Sequence, residues 1–178
     1  IEVHSDQGFV LEGVGGSNTL IGGDGEDTLV GGSGVDTLDG GAGNDLLQIN
    51  GSLGNLVTGG PGTDVVQIVS AGASVSVDTA EAVIGSDGSD SITITSNDDI
   101  SIFGNAGNDD VLLTGTLGST ILIDGVETFV GGDGDDPRDP GVRRPLHHPG
   151  QFVGEIGKIQ MSVCVVKFRH GLAKRLTK

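Results

Sequence analysis

Three aspartates, Asp27, Asp36 and Asp45, recur nine residues apart in a glycine-rich stretch and carry the clearest chemical signal of this sequence. Residues 22–48 read GGDGEDTLV, GGSGVDTLD and GGAGNDLLQ, which is Gly-Gly-x-Gly-x-Asp-x-Leu-x written three times. Glycine permits tight turns and close approach of backbone groups. Each copy therefore predicts a turn in which several carbonyl oxygens and one carboxylate face the same point.

An all-oxygen site of this kind suits a hard cation, Ca²⁺ before Mg²⁺. The expected ligands in the regular stretch are the sixth-position aspartates and the turn glycines: Asp27, Asp36, Asp45, Gly22, Gly23, Gly25, Gly31, Gly32, Gly34, Gly40, Gly41 and Gly43. Sparser copies farther along the chain add four aspartates at the same position: Asp64, Asp90, Asp109 and Asp136. Acids at the variable positions, such as Asp24 and Glu26, are expected to be solvated instead.

An aliphatic side chain follows each aspartate by two residues, at Leu29, Leu38 and Leu47. This pattern predicts a short strand that faces a narrow core, with two copies forming one coil of about eighteen residues. No helical period precedes residue 137, so the body is expected to be nearly all β with glycine-rich corners. Two copies weaken the pattern, because Asn18 stands at an aspartate position and the ten-residue stretch 49–58 contains no acid.

Successive copies are expected to turn on opposite sides of the coil, so that stacked neighbours are two copies apart. On this count Asp27, Asp45 and Asp64 share one side, provided that residues 49–58 still form one half-coil. Asp36 falls on the other side, between two loops without a carboxylate at the matching position. If each ion bridges stacked loops, Asp45 contributes more to calcium binding than Asp36.

The nonapeptide resembles the calcium-binding repeat of RTX (repeats-in-toxin, or hemolysin-type) proteins, closely over residues 13–48 and loosely over 59–136. The resemblance implies a right-handed parallel β-roll or related β-solenoid with Ca²⁺ in its Gly-Asp turns. In that family the roll is disordered in the calcium-poor cytosol, leaves through a type I secretion channel and folds outside the cell. The resemblance thus implies a secreted bacterial protein, extracellular or at the cell surface, with calcium ions and a type I secretion system as partners.

The charge distribution divides the chain in two. Residues 1–137 contain 23 of the 25 acids and no Lys or Arg, whereas all nine Lys and Arg lie from Arg138 onward. The acidic part argues against nucleic acid and anionic membranes as partners, because phosphate contacts need basic side chains. No apolar run approaches eighteen residues and no secretory signal is visible, so no membrane insertion is expected of this segment and the chain reads as a fragment. Cys164 is the only cysteine, which excludes an intrachain disulfide.

Four regions follow from these patterns: a first strand or cap (1–12), a regular roll (13–67), degenerate solenoid repeats (68–136) and a basic tail (137–178). Within the degenerate region, VDTAEAVIGSDGSD and IDGVETFVGGDGDD align at an offset of 46 residues, from Asp78 to Asp124. The tail starts with Pro137 and Arg138, which regular coiling does not accommodate. Two interpretations of the tail stay open: a cap that covers the end of the solenoid, or a sequence foreign to the repeat array, such as a shifted reading frame.

Catalytic arrangements are not apparent. The chain lacks the HExxH and GxSxG motifs, and His147 with His148 have no third spaced ligand. Asp98 with Asp99, and Asp109 with Asp110, are poor acid/base pairs, because adjacent residues on a strand point to opposite faces. The segment itself is therefore expected not to be an enzyme. It belongs to a repetitive surface adhesin as a stalk, or to an upstream toxin, protease, lipase or polysaccharide-acting enzyme as its solenoid.

Overall fold

The computed structural model describes residues 1, 7–51, 53–96, 98–114 and 121–130, together with the backbone of 164–167. Within these ranges every regular element is a β-strand. The fifteen strands, in chain order from β1 to β15, are Val10–Glu12, Thr19–Asp24, Thr28–Val30, Thr37–Ala42, Leu46–Ile49, Asn55–Thr58, Val65–Ile68, Ser74–Asp78, Ala82–Ile84, Ser91–Ile94, Ile100–Phe103, Asp110–Leu113, Ile121–Asp124, Thr128–Val130 and Cys164–Lys167. The all-β solenoid expected from the sequence is confirmed.

The strands form two parallel sheets. Odd-numbered strands make an eight-stranded sheet in the order β1-β3-β5-β7-β9-β11-β13-β15, and even-numbered strands make a seven-stranded sheet from β2 to β14. Consecutive strands therefore lie in opposite sheets, and one coil consists of two strands and two turns. The register repeats once per coil, with Leu29 paired to Leu47 and Leu20 paired to Leu38. The chain thus advances by one strand spacing, about 4.8 Å, with each coil.

The core is a double column of aliphatic side chains between the sheets. Leu29, Leu38 and Leu47, the residues at the predicted aliphatic position, are fully buried, and Val66 and Ile92 occupy the same position in later coils. The eighth position of each nonapeptide reaches this core, and in several later half-coils a second aliphatic residue two positions along the strand joins it, as Ile49, Ile68 and Ile94 do, because alternate residues of a strand point to the same side. A core so narrow buries little apolar area, so the fold depends heavily on its ladder hydrogen bonds and on whatever binds in the turns.

The ten-residue stretch 49–58 forms one half-coil, which meets the condition for placing Asp64 on the same side as Asp27 and Asp45. Strand β5 extends to Ile49, and the register still pairs Leu38 of β4 with Val57 of β6. Strand β5 has four residues, compared with three in β3, and the turn that follows β5 is one residue shorter than the turn that follows β3. The pairing register shifts at the next coil, because Asn55 pairs with Val75, inside β8, and not with the turn residue that precedes β8.

The 46-residue duplication has a structural consequence. Its first copy forms β8 and β9, and its second copy forms β13 and β14, five strands later. Because five is odd, the two copies start in opposite sheets. The turn at 78–81 therefore lies on one edge of the solenoid and the matching turn at 124–127 lies on the other edge.

Some of the remaining predictions fall on described residues, and others fall on the tail. In the part of the chain that the structure describes, no helix has the length and hydropathy that crossing a membrane requires. Asp109 is buried and Asp110 is exposed, so the two adjacent carboxylates point to opposite faces of the strand, as the sequence predicted. The basic tail lies outside the described residues except for β15, which pairs with β13 in parallel register, Ile121 with Cys164.

Removal of residues 137–178 distinguishes the two interpretations of the tail. If β15 caps the eight-stranded sheet, truncation after Asp136 exposes the edge of β13 and lowers the melting temperature at fixed calcium by several degrees, as loss of about 1 kcal/mol does in a domain of this size. If the tail is foreign to the array, truncation leaves the melt unchanged or raises it. Thermal melts of the full and truncated chains, followed by circular dichroism, measure the difference.

Candidate metal centre

The sixth-position aspartates stack along the edges of the solenoid and are hydrogen-bonded from coil to coil. On the edge where turns enter the eight-stranded sheet, Oδ1 of Asp27 accepts the N–H of Phe9 at 2.7 Å, and Oδ1 of Asp45 accepts the N–H of Asp27 at 2.7 Å. Oδ1 of Asp64 then accepts the N–H of Asp45 at 2.8 Å, and Oε2 of Glu81 accepts the N–H of Asp64 at 2.6 Å. We call these residues, from Asp27 to Glu81, the first column.

The opposite edge carries two shorter columns. In the second column, Oδ1 of Asp36 accepts the N–H of Asn18 at 2.8 Å, and Oδ1 of Asn55 accepts the N–H of Asp36 at 2.9 Å. The pairing of Asn55 with Val75 ends this column. Asp36 is thus flanked by two amides, whereas Asp45 is flanked by two carboxylates.

The third column begins one coil later on the same edge. Oδ1 of Asp90 accepts the N–H of Ala73 at 3.0 Å, and Oδ1 of Asp109 accepts the N–H of Asp90 at 2.8 Å. Oε2 of Glu127 accepts the N–H of Asp109 at 2.8 Å. All the predicted site aspartates of the described residues therefore occupy equivalent positions, and Asp136 lies outside the described residues.

Most column aspartates leave one carboxylate oxygen facing the turn without a hydrogen bond. Five of the six aspartates have an Oδ2 that is buried and lacks a partner among the described residues: Asp27, Asp36, Asp45, Asp64 and Asp109. These side chains are at most 2% exposed. Burying a carboxylate without a counter-charge is costly. The chain has no Lys or Arg before Arg138, so no side-chain cation of residues 7–130 can neutralise them.

The first glycine of each turn leaves space beside this oxygen. A Cβ at Gly31 would lie 2.8 Å from Oδ2 of Asp36, and a Cβ at Gly40 would contact both Oδ2 of Asp45 and the carbonyl oxygen of Gly59 in the next coil. The unpaired carboxylate oxygen and a carbonyl of the stacked turn thus converge on the same space. This donor set fits a hard cation held between successive coils.

The second and fourth glycines have a different role. Gly23, Gly25, Gly41 and Gly43 adopt positive φ angles between 97° and 142°. A Cβ at Gly43 would also collide with the carbonyl of Gly25 one coil earlier. These glycines therefore allow the turns to stack at strand spacing, whereas the first glycine of each copy keeps space open at the carboxylate.

Within the described residues, no three His, Cys, Asp or Glu side chains cluster as a metal site would require if it were built from side chains alone. Backbone carbonyls must supply most of the ligands, with one or two carboxylates for each ion. Such a site has oxygen ligands only and an adaptable geometry, which favours Ca²⁺ over the stricter octahedron of Mg²⁺.

Asp90 departs from the pattern. Its Oδ2 accepts the N–H of Ser86 at 2.7 Å and the hydroxyl of Ser86 at 2.9 Å. Serine replaces the second glycine of this copy. Ser86 therefore supplies locally the neutral donors that satisfy this carboxylate, and Asp90 needs a cation less than its neighbours do.

Sequence reasoning missed three residues of the columns. Asn55 lies at an aspartate position of the stretch described above as acid-free, and its side chain is fully buried. Glu81 and Glu127 end the first and third columns from turns that lack the Gly-Gly-x-Gly pattern. Their position in the sequence could have identified them. Each of the three residues directly precedes or begins a short β-branched or aliphatic strand, as Asp27 and Asp45 do.

The stacking raises the pKa of several carboxyl groups. Burial raises the pKa of Asp64 from 3.8 to about 6; the hydrogen bond from Asp45 opposes this rise, and the charges of Asp45 and Glu81 add to it. Burial likewise raises the pKa of Asp109 to about 6, with contributions from Asp90, Glu127 and Asp110. The metal-free columns thus hold protons more tightly than free carboxylates do.

The metal-free fold should consequently lose stability as the pH rises. Below pH 3.8 both folded and unfolded chains hold the protons of Asp64 and Asp109, so these groups cost nothing. Between pH 3.8 and 6 the unfolded chain releases them while the folded chain keeps them, and above pH 6 the penalty is complete.

We expect more β structure in EDTA at pH 4 than at pH 7, and a calcium midpoint of folding that falls as the pH rises, because Ca²⁺ and protons compete for the same oxygens. Circular dichroism at several pH values measures both. The double variant Asp64→Asn with Asp109→Asn should flatten the dependence, and an unchanged pH profile in that variant would contradict the assignment.

The two edges also predict unequal effects of single substitutions. Asp45→Asn removes a carboxylate that stacks between Asp27 and Asp64, whereas Asp36→Asn removes one that stacks between amides. Asparagine keeps Oδ1 as the acceptor in both variants, so only the charge changes. Two carboxylates about 4.8 Å apart repel by about 0.9 kcal/mol even in water, and a shared ion reverses that sign, so Asp45→Asn should raise the calcium midpoint about fivefold more than Asp36→Asn. Equal midpoints in calcium titrations would contradict the column assignment.

Comparison with known proteins agrees with this geometry. Residues 12–47 match the family model of the RTX calcium-binding nonapeptide repeat, in four copies. No curated protein and no solved structure matches the chain significantly. The matched residues contain Asp27, Asp36 and Asp45 with their glycine turns, and the strands they connect continue without a break into the later coils. The chain therefore carries RTX calcium-binding nonapeptide repeats, folded as a parallel β-solenoid, and the cofactor of these repeats is Ca²⁺.

Proposed function

We propose that this chain is a calcium-dependent folding segment of a secreted bacterial protein, exported through a type I secretion system and folded on meeting extracellular calcium. The observation that carries the proposal is the set of buried aspartate oxygens without partners and without a side-chain cation in residues 7–130. A chain with this charge resists compaction until a cation enters. Calcium binding and folding are then the same event.

Electrostatic repulsion and calcium binding energy both support folding that depends on calcium. Residues 1–137 hold 23 acids and no Lys or Arg, and the stacked aspartates bring their charges to strand spacing. Mutual repulsion of this kind destabilises the compact state. Each site held at a hundred times its dissociation constant adds about 2.7 kcal/mol of stability. A few sites therefore suffice to move the chain from unfolded to folded between a calcium-poor and a calcium-rich compartment.

The segment serves structure and not catalysis in this proposal. The buried polar side chains of the described residues belong to the columns or, in the case of Ser86, donate to them, and the turn acids Asp24 and Glu26 are exposed. The whole protein is then an exported toxin, protease, lipase or polysaccharide-acting enzyme whose active domain lies elsewhere, with this solenoid as its folding module.

A stalk of a large repetitive adhesin is the second candidate, and the 46-residue duplication favours it. The duplicated unit adds coils without interrupting either sheet, as lengthening of a rod requires. The complete coding sequence separates the candidates. Extended arrays of similar repeats would support the stalk, whereas an upstream HExxH or GxSxG motif would support the exported enzyme.

Calcium-dependent folding has a direct test. In EDTA at pH 7 we expect the spectrum of an unfolded chain, and in millimolar CaCl₂ we expect β structure. Equal MgCl₂ should be a poor substitute, because Mg²⁺ dehydrates reluctantly and demands near-ideal octahedral geometry. Circular dichroism follows the change, with NaCl at matched ionic strength as the control for simple screening. A β spectrum that chelation leaves unchanged would refute the proposal.

A further inference from the structure

Two glutamates outside the nonapeptide motif end the acidic columns in the same way. Glu81 follows Asp64 in the first column, and Glu127 follows Asp109 in the third. Both belong to shortened turns, Thr79–Ala80–Glu81 and Gly125–Val126–Glu127, in which three residues replace the usual six. The family pattern does not include either glutamate, since it matches only residues 12–47.

The backbone contacts of the two turns are equivalent. The carbonyl of Asp64 accepts the N–H groups of Glu81 and Ala82 at 3.1 and 3.2 Å. The carbonyl of Asp109 accepts the N–H groups of Glu127 and Thr128 at 3.1 and 3.0 Å. The duplication has therefore produced one such arrangement on each edge of the solenoid.

The first residue of each shortened turn directs its carbonyl toward the aspartate of the preceding coil. Thr79 has a φ of 47°, which is rare for a residue with a side chain, and Gly125 has a φ of 70° at the matching position. A Cβ at Gly59 would lie against the carbonyl of Thr79 and 2.6 Å from Oδ2 of Asp64. The same space at Gly104 is bounded by the carbonyl of Gly125 and, at 2.6 Å, by Oδ2 of Asp109.

Both aspartates direct an unused oxygen into this space. Oδ2 of Asp64 and Oδ2 of Asp109 are buried and without a hydrogen-bond partner, and both residues are 0% exposed. Each space is thus bounded by a buried carboxylate oxygen and a carbonyl oxygen held by a left-handed backbone, and the glutamate of the next coil is hydrogen-bonded to the N–H of the same aspartate. Such a set of hard oxygens with two carboxylates is suited to a divalent cation.

We propose that each glutamate supplies the second carboxylate of a calcium site that closes its column, one formed by Asp64, Thr79 and Glu81 and the other by Asp109, Gly125 and Glu127. The inference rests on the calcium-dependent folding proposed above. Glutamate replaces aspartate here because the shortened turn leaves a longer reach from the backbone to the column. Glu81 is the last carboxylate of the first column, because the next coil has Ile100 at the matching position.

Charge-removing variants of the full chain test the proposal. Glu81→Gln and Glu127→Gln keep an oxygen that accepts the aspartate N–H and remove only the charge. We expect each variant to weaken one calcium site about tenfold, seen in isothermal titration with CaCl₂ as one fewer tight site, and the double variant to lose two. The matched control is Glu26→Gln, which removes an exposed turn carboxylate from the same edge as Glu81.

A second variant separates ligation from a structural role. Glu81→Asp keeps the carboxylate and shortens the side chain, so it should retain more calcium affinity than Glu81→Gln. A loss in Glu81→Asp as large as the loss in Glu81→Gln would show that the carboxylate charge does not contribute to calcium binding, and would overturn the proposal. A Glu81→Gln titration indistinguishable from that of Glu26→Gln would overturn it as well.

The experiment also distinguishes this inference from the calcium-dependent folding on which it rests. If the unmodified chain takes up no calcium, the folding proposal itself fails. If the unmodified chain binds calcium and Asp45→Asn weakens that binding, but both glutamate variants behave as the control does, only the closing sites are wrong.

Discussion

The structure depends on carboxylates that stack at strand spacing along the edges of a narrow solenoid. Each aspartate uses Oδ1 to accept an N–H from the coil before it and turns Oδ2 into the glycine turn. The first interaction holds neighbouring coils together, while the second leaves a buried carboxylate oxygen that no Lys or Arg of residues 7–130 can neutralise. Parallel strands about 4.8 Å apart force these charges into proximity. A cation between coils neutralises the buried Oδ2 and leaves the hydrogen bond to Oδ1 intact.

The rest of the fold is arranged around that requirement. The core is reduced to one or two aliphatic side chains for each half-coil, which confines the apolar stabilisation to a thin layer. Glycines at the second and fourth positions allow turns to stack, and the glycine at the first position keeps the carboxylate oxygen accessible. The arrangement that makes the solenoid dependent on calcium also allows coils to be added, because every regular coil repeats the same hydrogen bond and the same buried carboxylate.

Departures from the repeat show which features the columns tolerate. Asn55 keeps the coil-to-coil hydrogen bond without a charge, and Ser86 supplies donors to Asp90 where a glycine is missing. Glu81 and Glu127 continue the columns from turns that have lost the glycine pattern. In each case the acceptor for the stacked N–H is retained. The hydrogen bond is therefore the stricter constraint along the columns, and the charge varies from coil to coil.

The sequence by itself determined the repeat, the aliphatic core positions and the alternation that places Asp27, Asp45 and Asp64 together. These follow from local periodicity: glycine, aspartate and leucine recur in phase, and a nine-residue unit can stack in few ways. The half-coil at 49–58 was also predictable, because the aliphatic position returns at Val57 after a single added residue.

Only the tertiary structure decided which later residues join the columns. Asn55, Glu81 and Glu127 lie outside the motif, and their places depend on how each irregular strand pairs with its neighbour one coil away. The sequence likewise could not show that Ser86 occupies the free oxygen of Asp90, or that Asn55 pairs with Val75 and so ends a column. Pairing between coils is a non-local property: a turn that gains or loses a residue shifts the register by an amount that sequence spacing alone does not specify.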